Sequence, residues 1–440
     1  MEIVRHSRLA VVAALGIVAI ACGAGGGGGG GNKGTIAIGV DLPENGAAAS
    51  GGLSTLNGIK FAVQKAGNSV EGWQLVLDNK DDAVQGKYNE QQGVTNVQAL
   101  VANKQVVGMI GPYNSAVGKA EIPITNPVGL TMISPSNTTP CLTHEQEPPL
   151  PTCSYHPTDL RKGKPNNYFR VVATDDLQGP AMAQFAYETL NVKTVGVLDE
   201  KTVFGVGIAG SFDSKFKALG GKTIRDSFDP ATTNDWRNYL SRFNDGGAKA
   251  VYMGGTDDQK ACQPRAQMSG AGLSSWPYLG GDGIQTTQCI DDAQDGAIGL
   301  YATTAGADAT KVQSAQSTIQ EFKKTFTGAN DFGAYTMQGY DATNIMIEAI
   351  RKALKAGKDP SKTDAFRAAV RDNVASINYT GVLGQYTFDK GGDTSLKIIS
   401  VYQVKDVGAQ AAAAGDLTCG TKHPTYCYSW VKQFNFGSNK

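Results

Sequence analysis

The sequence predicts an α/β protein of two similar units, each a parallel sheet with helices on both faces. Three observations carry this. From Thr35 onward, short apolar runs alternate with longer stretches whose apolar residues recur at helical spacing, and that βαβα rhythm builds parallel sheets. The rhythm breaks at Cys141–Pro165, CLTHEQEPPLPTCSYHPTDLRKGKP, which is polar, Pro-rich and flanked by two cysteines, and then resumes. A chain of 440 residues is long enough for two or three domains with sizeable cores.

Taken in order, residues 1–22 read as a secretion signal. Arg5 and Arg8 precede an apolar run, Leu9–Ala21, too short to span a bilayer as a mature helix. Ala19-Ile20-Ala21 before Cys22 resembles a lipobox, with Ala19 where Leu is commoner, so Cys22 is expected to carry lipid and anchor the chain. The alternative is ordinary cleavage near Ala21. Residues 23–34 are a Gly-rich tether: Gly23–Gly31, all Gly except Ala24, is a flexible coil and no phosphate loop, because no Gly-Lys-Ser/Thr and helix follow.

The first unit opens with a strand at Thr35–Val40 and a helix with Leu53, Leu56, Ile59 and Val63 on one face. A strand at Trp73–Asp78 and a helix over Tyr88–Asn103 follow, then strands at Val106–Ile110 and Leu130–Ser134. Cys141–Pro165 is expected to be an exposed loop. In the second unit, strands fall at Tyr168–Val172, Thr194–Leu198, Thr223–Asp226, Ala250–Met253 and Pro277–Gly280. Helices lie near Gly179–Leu190, Gly205–Leu219, Trp236–Phe243 and Gln259–Gly270. After a strand at Leu300–Thr303 come helices at Ala315–Phe326, Tyr335–Ala356 and Thr363–Asp372, then closing strands at Tyr386–Phe388 and Lys397–Val404.

Setting Cys22 aside leaves six cysteines, which allow fifteen pairings. Proximity favours Cys141 with Cys153, Cys262 with Cys289, and Cys419 with Cys427, and an exported chain meets an oxidising environment. A metal site with His144, His156 and His423 is the other reading, but the cysteines lack CxxC spacing, so no metal is expected. Lys+Arg and Asp+Glu both total 40, so nothing in the charge balance points to nucleic acid.

Between the strands at Val106 and Leu130 and just after them lies GPYNSAVGKAEIPITNPVGLTMISPSNTTP, Gly111–Pro140. If the two strands are parallel neighbours, Tyr113-Asn114-Ser115 and Ser136-Asn137-Thr138 stand together at the carboxyl edge of one sheet, where such sheets bind ligands. Ser115 begins a helix whose free amides could hold a carboxylate; the plainer reading makes it only a cap. G-P-x-x-S, P-I and I-S-P-x-x-T resemble the ligand-binding signature of branched-chain amino-acid-type substrate-binding proteins of ABC importers, and the resemblance runs from about Thr35 to about Val404.

The resemblance implies a two-lobed type I periplasmic-binding (Venus-flytrap) fold, two doubly wound parallel sheets joined by a three-crossover hinge. Its lobes are residues 35–166 plus 300–384 and 167–299 plus 385–440. It also implies a small-molecule ligand between the lobes, amino acid, amide or small carboxylate, and delivery to an ABC permease by a monomer. Candidate ligand residues are Asn114, Ser115, Ser136 and Thr138 in lobe one and Phe204, Thr256 and Asp282 in lobe two. Phe204 matches the stacking aromatic of that family, Thr256 falls near another of its aromatic positions, and Asp282 matches the acid that pairs with the ligand's ammonium. A turn Asp before Gly283 is the plainer account of Asp282.

One motif competes. Gly205-Val206-Gly207-Ile208-Ala209-Gly210 fits the G-x-G-x-x-G of a dinucleotide-dependent oxidoreductase, with Asp226 as its ribose acid. Against it, about six residues separate the strand end near Leu198 from Gly205, where the fingerprint wants its first Gly in the turn. No serine elbow, HExxH or other catalytic set stands out, so neither enzyme activity nor a cofactor is expected.

Overall fold

The computed structural model describes residues 33–415 and 417–437. The expected signal, Cys22 and nearly all of the Gly-rich tether lie outside them. Two sheets organise the rest. The first has six strands in the order Ser69–Val70, Trp73–Asp81, Thr35–Leu42, Val106–Ile110, Thr131–Ser134, Tyr168–Arg170, parallel except for the first pair. The second has seven: Lys222–Ser227, Thr194–Asp199, Val251–Gly254, Tyr278–Gly280, Leu300–Thr304, Ile398–Asp406, Tyr426–Asn435. Its first five are parallel and its last two pair antiparallel.

Continuous apolar runs make the central strands because both faces are covered. From Ile36 to Leu42 every residue is buried. The helices Ala49–Lys65 and Thr336–Lys355 close over one face at short range: a Cβ on Gly58 would lie 1.9 Å from the Thr336 carbonyl oxygen. In the second unit Phe212 stacks on Tyr252 at 3.8 Å between ring centroids, fixing the helix Val203–Ala218 to the sheet.

Several expectations need correction. Cys141–Pro165 is not simply an exposed loop: Leu142, Thr143, Gln146, Leu160 and Arg161 are buried, and Arg161 donates to the carbonyls of Pro157 and Leu142 at 2.7 and 2.9 Å. The helix expected over Gln259–Gly270 is only Gln263–Gln267, preceded by a tight turn at Asp257–Gln259. The strand Tyr426–Asn435 lies past Val404, where no element was expected. Tyr168–Arg170 pairs with the first sheet and Leu300–Thr304 with the second, so the chain crosses after each of these strands, not before it as expected. All six described cysteines are paired, 141 with 153, 262 with 289 and 419 with 427. Among the described residues no helix is long and apolar enough to cross a membrane.

Candidate functional site

The strands Val106–Ile110 and Thr131–Ser134 run parallel, so their following loops emerge side by side. A web of hydrogen bonds ties those loops. Ser134 Oγ donates to the Pro112 carbonyl at 2.8 Å and accepts from Asn137 N at 2.9 Å. Asn137 Nδ2 and Ser136 Oγ both donate to the Tyr113 carbonyl, at 2.7 and 2.9 Å. The helix Ser115–Thr125 then begins with Asn114 at its cap position, but the Asn114 side chain makes no capping bond. Its Oδ1 is buried with no hydrogen-bond partner among the described residues. The first-turn amides at Ser115 and Ala116 have no intrahelical partner either, and carry the positive end of the helix dipole.

The second lobe supplies three loops at strand ends. Thr202 caps the helix Val203–Ala218, accepting from Gly205 N at 2.9 Å, and so sets Phe204 in the first turn. Thr256 N donates to Glu200 Oε2 at 2.8 Å. Asp282 accepts from Gln178 Nε2 and from Tyr335 OH, both at 2.7 Å. Burial pushes the Asp282 carboxyl up to about 6, while those two hydrogen bonds pull the other way. Gln178 also bonds Asp175 at 3.0 Å; burial and the neighbouring Asp282 hold Asp175 well above the ordinary range.

All seven candidate residues line one cavity between the lobes, with about 380 Å³ free of protein atoms, its mouth included. Asn114, Ser115, Ser136 and Thr138 face it from the first lobe and Phe204, Thr256 and Asp282 from the second. Two refinements follow. The Ser136 hydroxyl is spent on the Tyr113 carbonyl, and the Thr138 carbonyl accepts from Asp175 N at 2.9 Å, so both residues also shape the cavity. Sequence reasoning missed Tyr88 and Tyr113, which also line it. Tyr113 sits inside the quoted stretch, but Tyr88 sits on a two-residue strand, Lys87–Tyr88, that carries no signal. Its backbone amide reaches Asp258 of the other lobe at 3.2 Å, which brings an aromatic ring beside Thr256. Among the described residues no group of His, Cys, Asp and Glu is arranged to hold a metal ion.

A family model described as periplasmic binding protein matches residues 35–410. The chain belongs to that family. It is similar to a Leu/Ile/Val-binding protein homologue of Brucella melitensis, 28% identical over 84% of this chain and 92% of the relative. A leucine-, isoleucine-, valine-, threonine- and alanine-binding protein of Pseudomonas aeruginosa is also 28% identical, over 84% and 90%. Among solved structures, a leucine-binding protein of Thermotoga maritima superposes with a TM-score of 0.73 at 23% identity, covering 91% of this chain and 99% of that one. An R. palustris solute-binding protein in complex with 4-hydroxybenzoate also gives 0.73, at 16% identity, covering 92% and 98%. This chain is a periplasmic solute-binding protein and not an oxidoreductase. Its G-x-G-x-x-G lies within the helix Val203–Ala218, past the turn where a pyrophosphate would sit. Two of its glycines allow close packing: a Cβ on Gly205 would lie 2.8 Å from the Gly254 carbonyl oxygen, and one on Gly210 2.3 Å from Pro151 Cγ.

Proposed function

We propose that this protein captures a small amino acid or related zwitterion in the inter-lobe cavity and presents it to an ABC permease. The observation that carries the reading is polarity across the cleft. One lobe offers the N-terminus of the Ser115 helix to a carboxylate, and the other offers Asp282 to an ammonium. Asn114 Oδ1, buried and unpartnered among the described residues, supplies a further acceptor for ligand N–H groups. Tyr88, Tyr113 and Phe204 give the ligand an aromatic surround.

Those three rings favour one second reading, an aromatic carboxylate such as the 4-hydroxybenzoate in the R. palustris complex. A thermal-shift and calorimetric screen of aliphatic amino acids, amides and hydroxybenzoates separates the two. A ligand at 100 times its Kd should stabilise the fold by about 2.7 kcal/mol. Recovery of chemically altered ligand in excess over protein would overturn the binder reading altogether.

The protein acts as a monomer outside the cytoplasm, held to the membrane by lipid on Cys22 through the Gly tether. Cys22→Ala should release it in soluble form, and membrane association unchanged by that substitution would remove the anchor from this account.

A further inference from the structure

A second cavity bridges the lobes. On one side is the segment closed by the Cys141–Cys153 disulfide; on the other is the start of the helix Val203–Ala218. It offers about 270 Å³ of room and shares no lining residue with the cavity at Asp282.

Its chemistry is one-sided. Thr139 Oγ1, Gln146 Nε2 and Tyr155 OH are buried at its wall and have no hydrogen-bond partner among the described residues. Thr139 is 3% and Gln146 8% exposed, so bulk water does not satisfy them. Each can donate a hydrogen bond, and leaving such groups unpaired is costly. Lys201 lines the same cavity, and its ammonium makes no ion pair among the described residues. Val203 opens the sixteen-residue helix, whose first amides carry its positive end. Lys119 adds positive charge behind the wall, its Nζ 4.5 Å from the Tyr155 ring centroid. No carboxylate is among the lining residues; Glu145, next in sequence to Gln146, turns to His156 at 2.7 Å. Pro140, Pro151, Val203 and Val206 add apolar surface, and Thr152, Ser154 and Thr202 complete the wall.

We infer that this cavity is a second binding site, for a small organic carboxylate, whose anionic group is held by Thr139, Gln146, Tyr155 and Lys201. The occupant touches both lobes and so favours the closed arrangement together with the ligand at Asp282. Its carboxylate comes either from a separate anion or from the distal acid of an amino dicarboxylate that spans both cavities.

Calorimetry with butyrate, on the purified exported protein, tests this. Butyrate should bind wild type, and Lys201→Gln and Gln146→Leu should each weaken it at least tenfold. Lys201 is exposed, so Lys201→Gln keeps the fold even if Gln146→Leu does not. Asp282→Ala, in the other cavity, should leave butyrate binding unchanged, which keeps this inference separate from the proposed amino-acid site. No butyrate heat with wild type overturns it, as does loss in Asp282→Ala with wild-type affinity in Lys201→Gln. Leucine and butyrate binding together, two ligands per chain, identify a separate anion. Glutamate binding one to one and excluding butyrate identifies a distal acid.

Discussion

Asp282 carries its negative charge against its own burial. Its carboxyl is pushed up to about 6 by burial, with Tyr335 and Gln178 opposing. A carboxyl raised in the fold contributes stability below its unfolded value of about 3.9 and loses it as pH rises through the folded value. The empty cleft is therefore under electrostatic tension at neutral pH, and a ligand ammonium relieves it. Affinity for a zwitterion should fall as pH drops below about 6, where Asp282 takes up a proton. Asp282→Asn should cost about 3–5 kcal/mol of binding, since one partner of a buried ion pair is lost. Calorimetry across pH 5–8 on wild type and variant reads both, and a pH-independent affinity in wild type would remove Asp282 from the ammonium site. Tyr335→Phe deletes a donor to the carboxylate and should cost less, about 1.5–3 kcal/mol. At this scale the sequence was half legible. Asp282 was readable as an acid in a Gly-rich turn after a strand. Its partners were not, because Tyr335 and Gln178 stand 53 and 104 positions away and meet it only in the closed fold.

The helix Ser115–Thr125 links the site to a buried acidic group. Behind its first turns, Glu121 joins Asp41 and Asp82, all three fully buried. Burial, then Asp41, pushes the Glu121 carboxyl well up, and burial outweighs bonds from Glu121 and Asn96 to raise Asp41 to about 6. Asp82 is held well above its ordinary range by burial and by Asp41. All three shifts are upward, so this group's contribution to stability is present in acid and is lost as pH rises through the raised values, about 6 for Asp41. Glu121→Gln keeps the shape and removes an acid, and should stabilise the fold at high pH by on the order of 1–3 kcal/mol while flattening its pH dependence. Thermal or denaturant unfolding against pH measures it; a variant less stable than wild type at pH 8 contradicts it. Elements with a clean period were legible, as Val106–Ile110 shows. The strand Tyr426–Asn435 was not, because most of its residues after Tyr428 are only partly buried and its apolar and polar residues do not alternate cleanly. The Cys141–Pro165 segment misled for the opposite reason. Several of its polar residues are buried, Arg161 bonded to backbone carbonyls among them, and composition alone cannot distinguish that from exposure.

Closure of the whole molecule draws on contacts far from the ligand. The chain passes between the sheets after Tyr168–Arg170, after Leu300–Thr304, and before Ile398–Asp406. Near the first and third of these passages, Arg170 is fully buried and donates to Asp393 at 2.6 Å. Against this pair lies His144, from the disulfide-closed segment. Its Nδ1 meets Asp393 at 2.8 Å and its Nε2 meets Asp176, at the start of a second-lobe helix, at 3.2 Å. Burial disfavours its charge, but hydrogen bonds to Asp176 and Asp393 outweigh it and hold His144 up to about 9. Opening the lobes would carry Asp176 away from His144, so the open form binds this proton less tightly and closure takes one up. The sign follows. A histidine raised on closure helps fully below its unperturbed value of about 6.5 and ceases to help as pH rises through about 9. His144 is partly exposed, so its contribution is that of a screened pair, up to about 1 kcal/mol, or two- to fivefold in Kd. His144→Gln should weaken ligand binding by that factor at pH 7 and bind like wild type at pH 10. The ligand's own amino group also titrates in this range, so the variant-to-wild-type ratio at each pH is the quantity to follow by calorimetry. A ratio that stays constant from pH 7 to 10 would mean that His144 does not couple the lobes.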